Sequence, residues 1–248
     1  MNQSFYTGAI GALQQQRHLD VQGNNIANVN TYGYKAQKAR FTDLMYQDLE
    51  GIDGARLPVG TGARVLMTSN DFGTGSVMTT NRPYDYMIEG DGLFGLIDLA
   101  TNEVSFTRCG AFSLAELQRP TGETDENGNP IMEKVMCLSD GQGRFVLSNR
   151  GDLIEVTDED AELPVGVFDF ANYDGITRVG DTRFMPVDKN GNLMLGTGTV
   201  RRGVLELSNV DLAEEMTKVI EAQRVYSLSL KMVQTSDEIE GTINGLRG

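Results

Sequence analysis

Hydrophobic positions in this chain keep one period at its two ends and another in its middle. From Ser4 to Val29 no proline interrupts, and Phe5, Ala9, Ala12, Leu19 and Ile26 fall on one helical side, joined by Ile10 and Leu13. The pattern predicts an amphipathic helix with Ser4 as its N-cap, although its apolar residues are small and Gln16 and Gly23 break the stripe. The asparagine-rich run from Gly23 to Asn30 weakens the helix, and Gly33 is its predicted stop.

The other end predicts a longer helix. Ser208, Asn209, Val210 and Asp211 supply cap candidates, with Glu214 and Glu215 in the first turns, where the helix dipole favours anions. Leu212, Met216, Val219, Gln223, Tyr226, Leu230 and Val233 then alternate spacings of four and three. A second stripe, Val225, Leu228, Met232, Ile239, Ile243 and Leu246, takes over as the face drifts round the helix. Continuous over 211–244, such a helix would be about 50 Å long. It suits either the core of a globular domain or a coiled-coil-like packing interface, and the pattern leaves both open.

Between 60 and 202, short apolar runs alternate with the turn pairs Asp91-Gly92, Asn127-Gly128, Asp140-Gly141, Asp174-Gly175 and Asn190-Gly191. Val104–Thr107, Arg144–Leu147, Leu153–Val156, Val165–Phe170 and Leu193–Leu195 fit strands between those turns. The expected class is therefore α+β, with long terminal helices packing together and a central antiparallel β domain. The expected divisions are a discontinuous helical domain of 1–45 and 205–248, an extended linker over 46–67, and a β-rich domain over 68–204.

Charge sharpens this division. The 248 residues carry 21 Lys+Arg against 35 Asp+Glu, a formal net charge of -14. Residues 1–45 hold 4 cations and 2 anions, 203–248 hold 4 and 8, and the centre holds 13 and 25 together with 21 of the 29 glycines. An acidic chain without clustered cations is not expected to bind nucleic acid or an anionic membrane surface. No apolar window is long enough to predict a membrane-spanning helix, and the first 25 residues show no basic and apolar pattern of a cleaved signal peptide.

Little of the sequence points to catalysis. His18 is the one histidine, which excludes multi-histidine metal sites, and Cys109 and Cys137 form no C-x-x-C motif. Whether those two cysteines pair is open. Asp125 to Asn129 imitates the start of a calcium loop, but Pro130 stands where glycine is needed and Met136 where a bidentate glutamate is needed. The two G-x-G segments, Gly73-Thr74-Gly75 and Gly196-Thr197-Gly198, open no helix and read as loops, and Arg150-Gly151-Asp152 reads as a turn. Asp85, Glu89 and Asp91 read as solvated loop anions, and His18 as a surface or interface residue. The expectation is a non-enzyme with no catalytic, cofactor-binding or metal-ligating residues.

Several segments carry a resemblance. Asn24-Asn25-Ile26-Ala27-Asn28-Val29-Asn30-Thr31-Tyr32-Gly33-Tyr34-Lys35 resembles the N-terminal signature of the bacterial flagellar axial family of rod and hook proteins, departing only at Gly23, where alanine is usual. Leu205 to Met216, Ile220 to Tyr226 and Gln234 to Ile239 are similar to the family's C-terminal motif. Glu89-Gly90-Asp91-Gly92-Leu93-Phe94 and Phe106-Thr107-Arg108-Cys109-Gly110-Ala111-Phe112 match two central markers. Leu57 to Arg64 resembles the segment after the N-terminal helix in the family's distal rod branch, while Leu114 to Lys134 matches the family poorly.

This resemblance implies a structural subunit exported through the flagellar type III apparatus without a cleaved signal, and located in the flagellar basal body. It implies helical polymerisation into a hollow drive shaft that transmits torque, with further copies of the chain and neighbouring rod and hook proteins as partners. The terminal helices would form the innermost layer, with the β domain outside. Asn24, Asn25, Ile26, Asn28, Asn30, Gly33, Lys35, Asn209, Leu212, Met216, Val219, Gln223, Tyr226, Leu230 and Val233 are the candidate packing residues. The asparagine amides could fix register between neighbours, or only cap and turn the chain after the helix. A proximal rod or hook-like paralogue, and a secreted β-rich binding protein, are the alternatives.

Overall fold

A computed structural model describes residues 3–50, 56–124, 130–158 and 161–247. The chain divides into two compact units, one of 1–29, 36–71 and 210–248, the other of 30–35 and 72–209.

The first unit is a helix pair with small strands. Helix α1 (Gln3–Ala27) and helix α2 (Leu212–Arg247) run antiparallel. Ser4 Oγ meets Ser236 Oγ at 3.1 Å near one end, and Asn25 Nδ2 donates to Glu215 Oε2 at 3.3 Å near the other. On α2 the packed positions are Glu215, Val219, Ala222, Tyr226, Ser229, Val233 and Ser236, alternating steps of four and three, the period of a coiled-coil seam. Gly8, Ala12, Gln22 and Asn25 are the buried residues of α1.

The seam is narrow because its residues are small. A Cβ at Gly8 would lie 3.1 Å from Val233 Cγ2 and 3.2 Å from the Ser229 carbonyl oxygen, and one at Gly11 would lie 3.3 Å from Ser229 Oγ. The separation of packed helices follows the side chains at the contact, so these positions bring the two backbones close.

Strand β1 (Gln37–Asp43) is followed by β2 (Tyr46–Glu50), β3 (Arg56–Gly60) and β4 (Ala63–Asn70). Over 46–67, where the sequence reading places an extended linker, β2 and β3 pair antiparallel, and β4 pairs with β1. The β1–β4 ribbon is tied to α1 by the Val65 N–H, which donates to Gln14 Oε1 at 2.9 Å.

The second unit is antiparallel β-structure. Its strands are β5 (Val77–Thr79), β6 (Tyr86–Glu89), β7 (Leu93–Asp98), β8 (Glu103–Thr107), β9 (Ser113–Thr124), β10 (Pro130–Ser139) and β11 (Arg144–Val146). They continue as β12 (Val167–Phe170), β13 (Thr177–Gly180), β14 (Arg183–Met185), β15 (Leu193–Leu195), β16 (Thr199–Arg202) and β17 (Val204–Glu206). The main sheet runs β13-β14-β8-β7-β11-β10-β9, and β12 joins β7 to β15. β6 pairs with β16 and β5 with β17.

β7 is buried on both faces. Leu93 joins Phe106, Phe168, Phe170 and Phe184 on one side, while Phe94 joins Ile88, Phe112, Leu138 and Val146 on the other. Gly95 lies where a Cβ would come within 2.6 Å of the Phe168 ring, so this strand needs a residue without a side chain there.

The α+β class expected from the sequence is observed. Leu153–Val156, expected as a strand, makes only the isolated bridges Leu147–Leu153 and Cys137–Glu155. The polar stretch 114–134, which fitted the family poorly, lies mostly in the paired strands β9 and β10. The calcium-loop imitation at 125–129 lies outside the described residues.

Candidate subunit-packing site

The packing residues expected from the sequence separate into three groups. The first is the asparagine run at the end of α1. Asn25 is fully buried: its Nδ2 donates to the Gln37 carbonyl at 2.8 Å, and its Oδ1 accepts from the Gln37 N–H at 2.9 Å. One amide thus replaces a strand partner for Gln37 and fixes where β1 leaves the helix. Asn28 Nδ2 donates to the Asn24 carbonyl at 2.8 Å and to Asn24 Oδ1 at 3.1 Å, turning the chain after the last helical residues. Asn24 and Asn30 are exposed, and Ile26 is half-buried.

The second group lies in the β unit. Gly33 takes φ +64°, and a Cβ there would meet the Cys109 backbone nitrogen at 2.3 Å. Lys35 is buried; its Nζ is 2.7 Å from Glu206 Oε1 and donates to the Gly73 carbonyl at 2.8 Å. Glu206 also accepts from Arg108 Nε at 2.6 Å and from the Gly75 N–H at 2.8 Å. Arg108 then spends Nη1 on the Gly92 carbonyl and Nη2 on those of Ile88 and Gly90. Asn209 Nδ2 donates to the Gly73 carbonyl at 3.1 Å.

Three buried charges with these hydrogen bonds clasp both chain ends of the β unit. Arg108 and Glu206 are absent from the expected packing residues. Their signal was present, because both lie inside the motifs that carry the family resemblance.

The third group is α2. Val219, Tyr226 and Val233 are half-buried in the seam, but Leu212, Met216, Gln223 and Leu230 are exposed. The second stripe is exposed too: Val225, Leu228, Met232, Ile239, Ile243 and Leu246, with Leu228 at 66% and Leu246 at 83%. The helix therefore buries mainly small residues such as Ala222 and Ser236 against α1 and leaves most of its large apolar ones outside, the reverse of an ordinary core helix. Within helix α1, Phe5 and Leu13 of the expected stripe are exposed and Ala12 is buried.

His18 is half-buried rather than on an open surface. Its ring packs edge-on to Phe41 at 5.2 Å between centroids, and Gln22 Nε2 donates to its Nε2 at 3.2 Å. Its pKa is lowered, chiefly by burial; Lys218 lowers it further, and Glu215 opposes the shift. Among the loop anions, Asp85 is fully buried rather than solvated, with Arg82 Nη1 at 3.9 Å. Cys109 and Cys137 are free thiols. No described helix is long and apolar enough to cross a membrane.

Comparison with known proteins agrees with the placement of these motifs. Residues 5–35 match the family described as flagella basal body rod protein, and residues 201–246 match that of the C-terminal region of flagellar basal body rod FlgEFG proteins. The flagellar basal-body rod protein FlgG of Bacillus subtilis is 32% identical over 96% of this chain and 97% of its own length. The protein of that name from Borreliella burgdorferi is 30% identical over 100% and 99%. The one from Caulobacter vibrioides is 30% identical over 99% of both chains. With relatives of this identity matched end to end and a helix pair presenting its apolar side outward, the chain belongs to the flagellar basal-body rod protein family and is a structural rod subunit of the distal type.

Proposed function

We propose that this subunit polymerises helically through the outward side of its helix pair, forming the torque-transmitting shaft. The observation that carries the reading is the apolar exterior of α2, where Leu212, Met216, Ile220, Leu230 and the Val225–Leu246 stripe stand exposed. Buried apolar area drives association, and a surface of this kind on a single chain needs a covering. Leu212, Met216, Gln223 and Leu230 act between copies, as do the exposed Asn24 and Asn30. Asn25, Ile26, Asn28, Gly33, Lys35, Asn209, Val219, Tyr226 and Val233 act within the chain, holding the surfaces in shape.

The partners under this reading are other copies of the chain, neighbouring rod and hook proteins, and the flagellar type III export apparatus, which would pass the chain without a cleaved signal. Its place is the distal rod of the basal body. The work is packing, and no reaction is assigned to it. Electron microscopy of basal bodies from a strain lacking this chain is the test. A missing or truncated rod is expected, and a rod of normal length would overturn the proposal.

A further inference from the structure

Two segments of the β unit run together and then part. β12 and β15 pair antiparallel from Phe170–Leu193 to Phe168–Leu195, and the Gly196 N–H donates to the Val167 carbonyl at 2.8 Å. Beyond that point they separate. Residues 162–166 turn towards Leu147 and Ser148: the Gly166 N–H donates to the Leu147 carbonyl at 2.9 Å, and Val165 bridges Ser148. Residues 199–202 become β16 and pair with β6 instead. Both glycines of the Gly196-Thr197-Gly198 run sit at this parting. A Cβ at Gly196 would lie 2.5 Å from Val167 Cγ1, and one at Gly198 would lie 2.5 Å from Ile88 Cγ2, so the strand changes partners where no side chain fits.

A cleft of about 550 Å³ opens between the diverging segments. One wall is Glu162, Leu163 and Val165, the other Gly198, Thr199 and Val200, and Val167 with Gly196 closes the vertex. Leu163, Val165, Val167 and Val200 belong to the core packing around Tyr86 and Ile88, so the floor is apolar. Glu162 is the one charged side chain of the lining. Among the described strands β16 pairs only with β6, and Thr199 and Val200 border the cleft. An unpaired strand edge is a template for a further strand.

We propose that this cleft binds an extended peptide segment of another protein, which adds as a strand along β16 with small apolar side chains toward the core and basic ones toward Glu162. Main-chain pairing supplies affinity in this mode, and pockets for alternate side chains supply selectivity. The volume lies within the roughly 300–1,000 Å³ of ligand sites. The four residues of β16 span ~13 Å, which takes about four or five ligand residues. A second hollow of about 470 Å³ shares Asn149 and Pro164, and it sets Asp152 and Glu155 against Arg150. Acid therefore predominates along the cleft and favours a basic segment. A second copy fits poorly, because its centre carries 25 anions against 13 cations, and like charge suppresses pairing. The site is complete in one chain and does not depend on polymerisation.

Fluorescence anisotropy of the full-length chain tests this with a labelled, end-capped pentapeptide alternating valine and lysine, and with glutamate in place of lysine as its control. The parent chain is expected to bind the first and not the second. Glu162→Lys reverses the charge and Thr199→Trp fills the cleft, both at exposed positions. Each should weaken binding roughly tenfold or more, the loss expected for a charged contact. Glu103→Lys, exposed on β8 outside the cleft, should leave binding unchanged. No binding by the parent, or unchanged binding in either cleft variant whose circular dichroism matches the parent, would overturn the proposal. Equal weakening by Glu103→Lys would mean diffuse attraction to an acidic chain and would overturn it too. Self-association of the parent without peptide, abolished by Thr199→Trp in sedimentation, would give the cleft to a second copy and overturn the choice of partner.

Discussion

The β unit and the helix pair use large apolar side chains in opposite ways. In the β unit, Leu93, Phe94, Phe112, Leu138 and Phe184 are almost wholly hidden, and three buried charges are satisfied around Glu206. In the helix pair the hidden residues are Gly8, Ala12, Gln22, Asn25, Glu215, Ala222 and Ser236. The β unit carries its own hydrophobic driving force; the helix pair keeps much of its apolar surface outside, for association. A chain built this way separates the part that folds from the part that joins.

The comparison breaks most visibly at Glu206. Replacing it as Glu206→Gln leaves Lys35 and Arg108 as two buried cations without their anion. Removing one member of a buried ion pair costs about 3–5 kcal/mol, comparable to truncating a core phenylalanine. Urea unfolding followed by tyrosine fluorescence should show a loss of that size. A loss below about 1 kcal/mol would mean that the clasp contributes less than the hydrogen bonds it makes.

A smaller effect separates the two sides of the helix pair. Gly8→Leu forces a side chain into a space where Val233 and the Ser229 carbonyl already stand within van der Waals contact of a Cβ. Overpacking of this kind costs about 1–3 kcal/mol, and circular dichroism of the isolated chain should register less helix or an earlier melt. Leu228→Ser, on the outer side, should shift the stability of the isolated chain by no more than about 0.5 kcal/mol, yet reduce swimming. Equal losses of stability at both positions would remove the distinction between an inner seam and a joining surface.

How much of this was legible in the sequence depends on which force decided each position. Turn pairs and alternating runs located Val104–Thr107, Arg144–Leu147 and Leu193–Leu195 within a residue or so of β8, β11 and β15. Local backbone chemistry decides those. The α2 stripe from Leu212 to Val233 was placed by size and period, and only Val219, Tyr226 and Val233 reached the seam. Close helix approach selects Gly8, Gly11, Ala222 and Ser229 instead, which a hydrophobicity pattern does not register. Lys35, Arg108 and Glu206 meet across separations of 171 and 98 residues, and no local pattern pairs them. Asn25 could be read as a register or turn residue, and its bonds to the backbone of Gln37 are made inside the chain.

The smallest effect concerns acid. His18 has its pKa lowered by burial, so the unfolded chain binds protons more readily than the folded one, and stability rises with pH in that range. The contribution is fully present above the ordinary histidine value of about 6.5 and is lost as pH falls through the lower folded value. Geometry gives the same sign. Gln22 donates to His18 Nε2, and a proton added at that nitrogen would face a donor, although Glu215 nearby partly compensates the new charge. Thermal melts of the isolated chain should therefore show the helix pair weakening below neutral pH, with Asn25→Ala leaving this trend in place and His18→Gln flattening it. An unchanged slope in the His18 variant would detach the histidine from the stability of the seam.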